Sequence, residues 1–65
     1  MFFDKKLKAL VAKLADNLEA KSHEYVLQAR GLDGAGKANL MTRAGILNDL
    51  AQVIRKTLQD EDKDD

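Results

Sequence analysis

Gly31-Leu32-Asp33-Gly34-Ala35-Gly36-Lys37 is the stretch of this chain whose spacing comes nearest to a chemical motif. Two glycines five apart, followed by lysine, make the pattern G-x-x-x-x-G-K. In that pattern backbone N–H groups wrap a phosphate and the lysine neutralises its charge. The motif ends in Ser or Thr, whose hydroxyl holds magnesium. Ala38 stands there instead and offers no oxygen.

The seven residues resemble the phosphate loop of Arf-like small GTPases. In that family the loop follows a buried β-strand and opens a helix. Here the residues before Gly31 are spaced as an amphipathic helix, and 65 residues leave no room for a sheet or a base-recognition motif. The glycines therefore read as a bend between two helices. No nucleotide or other cofactor is expected.

Glu19 and His23 stand four apart, so a helix would place both on one face, with Asp16 one turn earlier. Such pairs hold metals in some helical sites. A single histidine per chain is a poor ligand set, and the plainer reading is an exposed polar face with a local Glu19–His23 pair. No metal is expected. No Ser, Cys or carboxylate pair sits where a pocket could form, so no catalytic residue is assigned and no enzyme is expected. Lys5, Lys6, Lys8 and Lys13 form a basic end, with Arg30, Lys37 and Arg43 near the bend. Clustered positive charge is what nucleic acid requires.

Two segments must position these groups. From Asp4 to Arg30, Leu7, Val11, Leu14, Leu18 and Tyr25 recur at steps of four and three, broken by Lys21 and Ser22. From 37 to 59, Leu40, Ala44, Leu47, Ala51, Ile54 and Leu58 alternate without a break. Asp4 is placed to cap the first helix and Asp33 or Gly36 the second. Gly31 suits the left-handed residue that ends the first. The spacing thus predicts helix 1 over 4–30, a bend over 31–36 and helix 2 over 37–59. Residues 60–65 carry five acids and one base, leaving ten bases and six acids in the rest of a chain whose net charge is zero. That segment is expected to be a solvated, disordered tail, because acid at a helix C-terminus opposes the dipole.

Folding at Leu32-Asp33 brings the stripes together, with facing residue numbers summing to about 65. The fold class expected is all-α, an antiparallel two-helix hairpin. One hairpin buries too little to offset the ordering of some 50 residues, so homodimerisation into a four-helix bundle is expected. Leu7, Val11, Leu14, Leu18, Leu40, Ala44, Leu47, Ala51, Ile54 and Leu58 would make its core and dimer contacts. Small residues (Ala44, Ala51) alternate with large ones (Leu40, Leu47, Ile54), and this layering resembles the antiparallel four-helix dimers of the Rop family of plasmid RNA-binding proteins. The likeness is of architecture, and no residue role is carried over.

The partners expected are a second copy and a larger protein that the dimer binds and inhibits, such as a regulator or an enzyme. Contact residues for that target are Ile46, Leu50 and Val53 on a surplus apolar flank, and Tyr25, Arg30, Leu32 and Arg43 around the bend. Gly45 beside Ala44 makes a notch where another helix could approach. Small helical chains of this kind are frequent among phage and plasmid accessory proteins, which is analogy alone. RNA or DNA binding through Arg30, Lys37 and Arg43 is the alternative, and a subunit of a larger helical assembly the second. The absence of cysteine fits a cytoplasmic setting. The longest apolar run is Ala9 to Ala12, and no membrane partner is expected.

Overall fold

A computed structural model of the chain describes residues 3–63. They form two antiparallel helices, α1 (Lys5–Ala29) and α2 (Gly34–Lys63), packed side by side. The Cα atoms span 47 × 16 × 11 Å. That thickness is one layer of helix, so the hairpin is a slab with two broad faces and two edges.

Asp4 starts α1 as expected. Its backbone is extended (φ −75°, ψ 174°), and its Oδ1 accepts the Leu7 N–H at 2.7 Å, meeting one of the donors that a helix start leaves free. The other end departs from expectation. Gly31 is not the left-handed residue. Arg30 is still right-handed, and the N–H groups of Gly31 and Leu32 donate back to the carbonyls of Gln28 and Ala29 at 3.2 and 3.0 Å. Those tight i to i−3 bonds close the last turn without a change of hand. The reversal is made at Gly34, with φ at +65°. Helix α2 begins there, directly after Asp33, at the earlier of the two starts that the caps allow and three residues before 37.

The two glycines of the hairpin that matter most have opposite roles. An L side chain in the left-handed region costs about 1–2 kcal/mol, so Gly34→Ala should destabilise the hairpin by that amount. Gly45 lies within α2, exposed, and a Cβ added there meets nothing within 4 Å. Gly45→Ala should stabilise by about 1 kcal/mol, the helix-propensity difference. Urea denaturation followed by circular dichroism reads both, and shifts of the same sign would contradict the assignment.

Small side chains make the seam between the helices. Ala15, Ala29 and Ala51 are 0% exposed and Ala44 is 3% exposed, and among the described residues no larger side chain is fully buried. Ser22 completes the row: it is buried, and its Oγ donates to the Ala44 carbonyl of α2 at 2.7 Å. Ala15, Ser22 and Ala29 are seven apart, as are Ala44 and Ala51, so one edge of each helix is lined with side chains small enough for the backbones to approach closely. The Ser22–Ala44 bond sets the register within a residue or so of the expected sum. The polar break at Lys21-Ser22 is thus half a seam residue and half a surface residue.

The large apolar residues border this seam. Val11, Leu18, Tyr25, Leu40, Leu47, Ile54 and Leu58 are half-buried, and Leu7 and Leu14 are exposed. Of the expected core residues, Ala44 and Ala51 alone are buried within the single chain.

A disordered tail from residue 60 gives way to helix, since α2 continues through Lys63. The reason is a clasp between the chain ends. Glu61 is buried, and its Oε1 accepts the backbone N–H of Phe3 at 3.3 Å. Holding the last turn against the N-terminal segment offsets the unfavourable charge at a helix C-terminus. Phe3 is half-buried at that end, whereas Met1, Phe2, Asp64 and Asp65 lie outside the described residues.

Candidate functional site

Advance along either helix turns about 100° per residue, so the seam divides each helix into two flanks. On α1, Leu7, Leu14, Leu18 and Tyr25 fall on one flank and Asp16, Glu19 and His23 on the other. On α2, Leu40, Leu47, Leu50 and Ile54 fall on one flank and Met41, Gly45, Gln52 and Arg55 on the other.

Arg55 shows how the flanks combine. Its Nη2 donates to Asp16 Oδ1 at 2.6 Å, its Nε donates to Glu19 Oε1 at 2.9 Å, and Nη2 reaches that same Glu19 oxygen. Gln52 Nε2 donates to Glu19 Oε2 at 3.3 Å. The two polar flanks therefore share one broad face. It follows that the two leucine flanks share the other.

The polar face is a cross-helix clamp. The hydrogen bonds to Asp16 first, and then to Glu19, raise the Arg55 pKa above its ordinary value. A raised pKa contributes stability that is fully present below the unfolded value and is lost only as pH rises through the folded one. Arg55 thus stays charged through any ordinary pH range. The cluster is partly exposed, so salt should weaken it. Arg55→Met should lower the thermal midpoint modestly. Raising salt from about 0.01 M to about 1 M should then lower the midpoint of the parent protein more than that of the variant. Equal salt responses would show that the clamp contributes nothing.

This arrangement replaces the expected Glu19–His23 pair. Glu19 turns across the seam to Arg55 and Gln52, and His23 is exposed with no bond to Glu19. Among the described residues no group of three His, Cys, Asp or Glu could hold a metal ion. The Gly31–Lys37 string is the bend expected of it: two of its N–H groups close α1, and its last four residues open α2.

The leucine face is the larger feature. Leu7, Leu14 and Leu50 are exposed on it and Leu10 along its edge, above the half-buried Leu18, Leu47 and Ile54. Tyr25 is half-buried at the bend end of the face, with Lys21 Nζ 5.3 Å from its ring centroid. Lys21 also pairs with Glu24 at 3.3 Å. Ile46 and Val53 are exposed further round α2, on its outer edge beyond Leu50. Arg30, Leu32, Lys37 and Arg43 are exposed about the bend. The expected contact residues therefore separate into an outer strip on α2 and a bend-end group, with Leu50 bridging the strip to the leucine face. Gly45 opens on the polar face, away from the leucines.

Ser22, Arg55 and Glu61 hold the scaffold and were not singled out by local spacing. Each finds its partner more than twenty residues away. The sequence signals for them are faint: Ser22 falls in the seven-residue row with Ala15 and Ala29, and Arg55 lies beside Ile54 at the margin of the second stripe.

No helix among the described residues is long and apolar enough to cross a membrane. Compared with protein-family models, with curated proteins and with solved structures, the chain finds no match in any of the three.

Proposed function

We propose that this chain is a non-enzymatic interaction module that works as a homodimeric four-helix bundle and binds and inhibits a larger protein, such as a regulator or an enzyme. The observation that carries this reading is the leucine face: a row of leucines and an isoleucine on one side of a slab 11 Å thick. Apolar surface of this extent on a small chain marks a surface that is covered in use. A standard interface takes about 800 Å² from each partner, roughly a sixth of the 4956 Å² surface of the hairpin, and one broad face can supply that.

With the leucine face sealed by a second copy, Ile46 and Val53 on the outer strip are left for the target, and Leu50 lies at the margin between the two surfaces. Residues at i, i+4 and i+7 make one continuous ridge, the form in which a helix docks into a groove. The bend-end group of Tyr25, Arg30, Leu32 and Arg43 would extend that contact.

Light scattering tests the first half: a mass of twice the 7.2 kDa chain at micromolar concentration is expected, and a compact helical monomer would sink the reading. Affinity capture from the native host tests the second half. A protein should be retained after nuclease treatment and lost when bait carries Ile46→Asp and Val53→Asp, with the bait still dimeric.

The second reading is RNA or DNA binding. Arg30, Lys37 and Arg43 are all exposed and make no ion pair among the described residues, which favours it. Capture that vanishes with nuclease, and affinity that falls steeply with salt, would select it.

A further inference from the structure

We infer that Asp33-Gly34 is a site of spontaneous covalent rearrangement, where the bend closes to a succinimide and reopens in part as an isoaspartyl linkage. The rearrangement needs neither the dimer nor a target.

The chemistry joins a side chain to the backbone of the next residue. The Gly34 amide nitrogen attacks Asp33 Cγ in the protonated carboxyl group, and a C–N bond forms. The proton from that nitrogen and the carboxyl hydroxyl leave together as water. A second water then adds to either carbonyl of the five-membered ring and opens it. Opening on one side restores aspartate. Opening on the other leaves the main chain running through the side-chain carbons, one methylene longer, with a free α-carboxylate. Nothing is oxidised or reduced, and no cofactor takes part.

Three features hold this reaction back in a folded chain. A side chain on the following residue crowds the attacking nitrogen, a helical hydrogen bond occupies the following N–H, and bonds to the carboxylate hold it away. All three are missing at Asp33. Gly34 has no Cβ, and no other Asp or Asn in the chain precedes a glycine. A Cβ built on Gly34 meets nothing within 4 Å, so the space about it is open. Leu32, the nearest large side chain in sequence, lies instead over Gly36, where an added Cβ would meet its Cδ1 at 3.6 Å. Gly34 is the first residue of α2, so its N–H has no carbonyl of its own helix to bond. Asp33 is exposed, and its carboxylate makes no hydrogen bond or ion pair among the described residues.

The other aspartates lack this combination. Asp4 also stands immediately before a helix, but its Oδ1 accepts the Leu7 N–H at 2.7 Å and Lys5 follows it. Asp16 is held by Arg55 Nη2 at 2.6 Å, and the N–H of Asn17 is committed within α1. Asp49 and Asp60 lie inside α2, followed by Leu50 and Glu61. Attack at these helical positions would first have to break a backbone hydrogen bond.

The longer linkage would fall directly before the residue that reverses the chain, with Leu32 on one side and Lys37 on the other. The surface of the bend therefore changes with the age of the molecule.

Incubation of the folded protein in water enriched in heavy oxygen tests this. About pH 5 is suitable, where a small fraction of an ordinary carboxylate carries its proton. Each ring opening leaves one heavy oxygen at the residue. Digestion in ordinary water with a protease that cuts before aspartate, followed by mass spectrometry, locates the label, and an isoaspartyl linkage resists the cut. Label and uncut product should accumulate at Asp33 at least about tenfold faster than at Asp4, Asp16, Asp49 or Asp60, a barrier lower by about 1.4 kcal/mol. Guanidinium chloride sufficient to remove the helical circular-dichroism signal gives the rate free of the fold. The folded rate at Asp33 should lie within about tenfold of that value. A folded rate slower than this would show that the bend protects Asp33 and would overturn the proposal. Labelling spread evenly over the aspartates, or greater at another of them, would overturn it equally.

Discussion

Ala51→Leu should unzip the hairpin. Ala51 is 0% exposed and faces Ala15, also 0% exposed, one heptad along from the Ser22–Ala44 bond. The seam has no space for a longer side chain, because the backbones are held close by side chains of one carbon or one hydroxymethyl group. A leucine there must either adopt a strained rotamer or push the helices apart. Overpacking of this kind costs about 1–3 kcal/mol in an ordinary core. Here the separation would also stretch the Ser22 Oγ bond to Ala44 and draw Arg55 away from Asp16 and Glu19. Among the described residues no large side chain is fully buried, so the alanine seam and these cross-helix bonds carry much of the hold between the helices. Urea denaturation monitored by circular dichroism should show a midpoint lowered by an amount matching at least about 2 kcal/mol. Leu27→Ala, exposed and away from the leucine face, is the control and should shift far less. A midpoint for Ala51→Leu equal to the parent's would mean that the helices are not closely apposed at the alanines.

Leu14→Glu should leave the hairpin folded and abolish self-association. Leu14 is half exposed in the single chain, so a glutamate there keeps its carboxylate in water and perturbs the fold little. In a dimer sealed on the leucine face the same residue would bury a carboxylate in each copy within a leucine layer. Burying an unpaired charge is unfavourable by several kcal/mol, or the group takes up a proton instead. Either way the dimer dissociation constant should rise by at least about 100-fold, which corresponds to about 2.7 kcal/mol. Mass against concentration by light scattering measures this, and circular dichroism at high concentration confirms that helix is retained. A variant that stays dimeric at parent affinity would place the interface elsewhere.

The relation between these two substitutions explains what local spacing could and could not reveal. Leu40, Ala44, Leu47, Ala51, Ile54 and Leu58 form an unbroken alternation of four and three, and that alternation contains two adjacent rows. One row is small (Ala44, Ala51) and the other large (Leu40, Leu47, Ile54). On a helical wheel the rows lie within one turn's width, and periodicity assigns both to a single buried stripe. Which row faces the neighbouring helix depends on the distance between the helix axes. The alanines of both helices, and Ser22 among them, permit the close approach, and the leucines are thereby turned out onto a face.

The polar residues show the same division. Asp4 caps its own helix, three residues from its partner, and was legible from position alone. Glu19 has a local candidate in His23, yet its bonds go to Gln52 and Arg55 on the other helix. Glu61 belongs to a run of acids that reads as a solvated tail, yet its carboxylate accepts a backbone N–H 58 residues away. Sequence spacing registers contacts within a turn or two; it carries no direct sign of a partner that arrives only when the chain doubles back.

By itself the sequence determined the elements: two amphipathic helices, the capping aspartate before the first, the glycine-rich bend, and a register close to the observed one. These are legible because helix period, capping and turn chemistry act within a few residues along the chain. The tertiary structure alone decided which residues are seam and which are face. That choice follows from how near two backbones can come, a property of the pair of helices and of neither one separately.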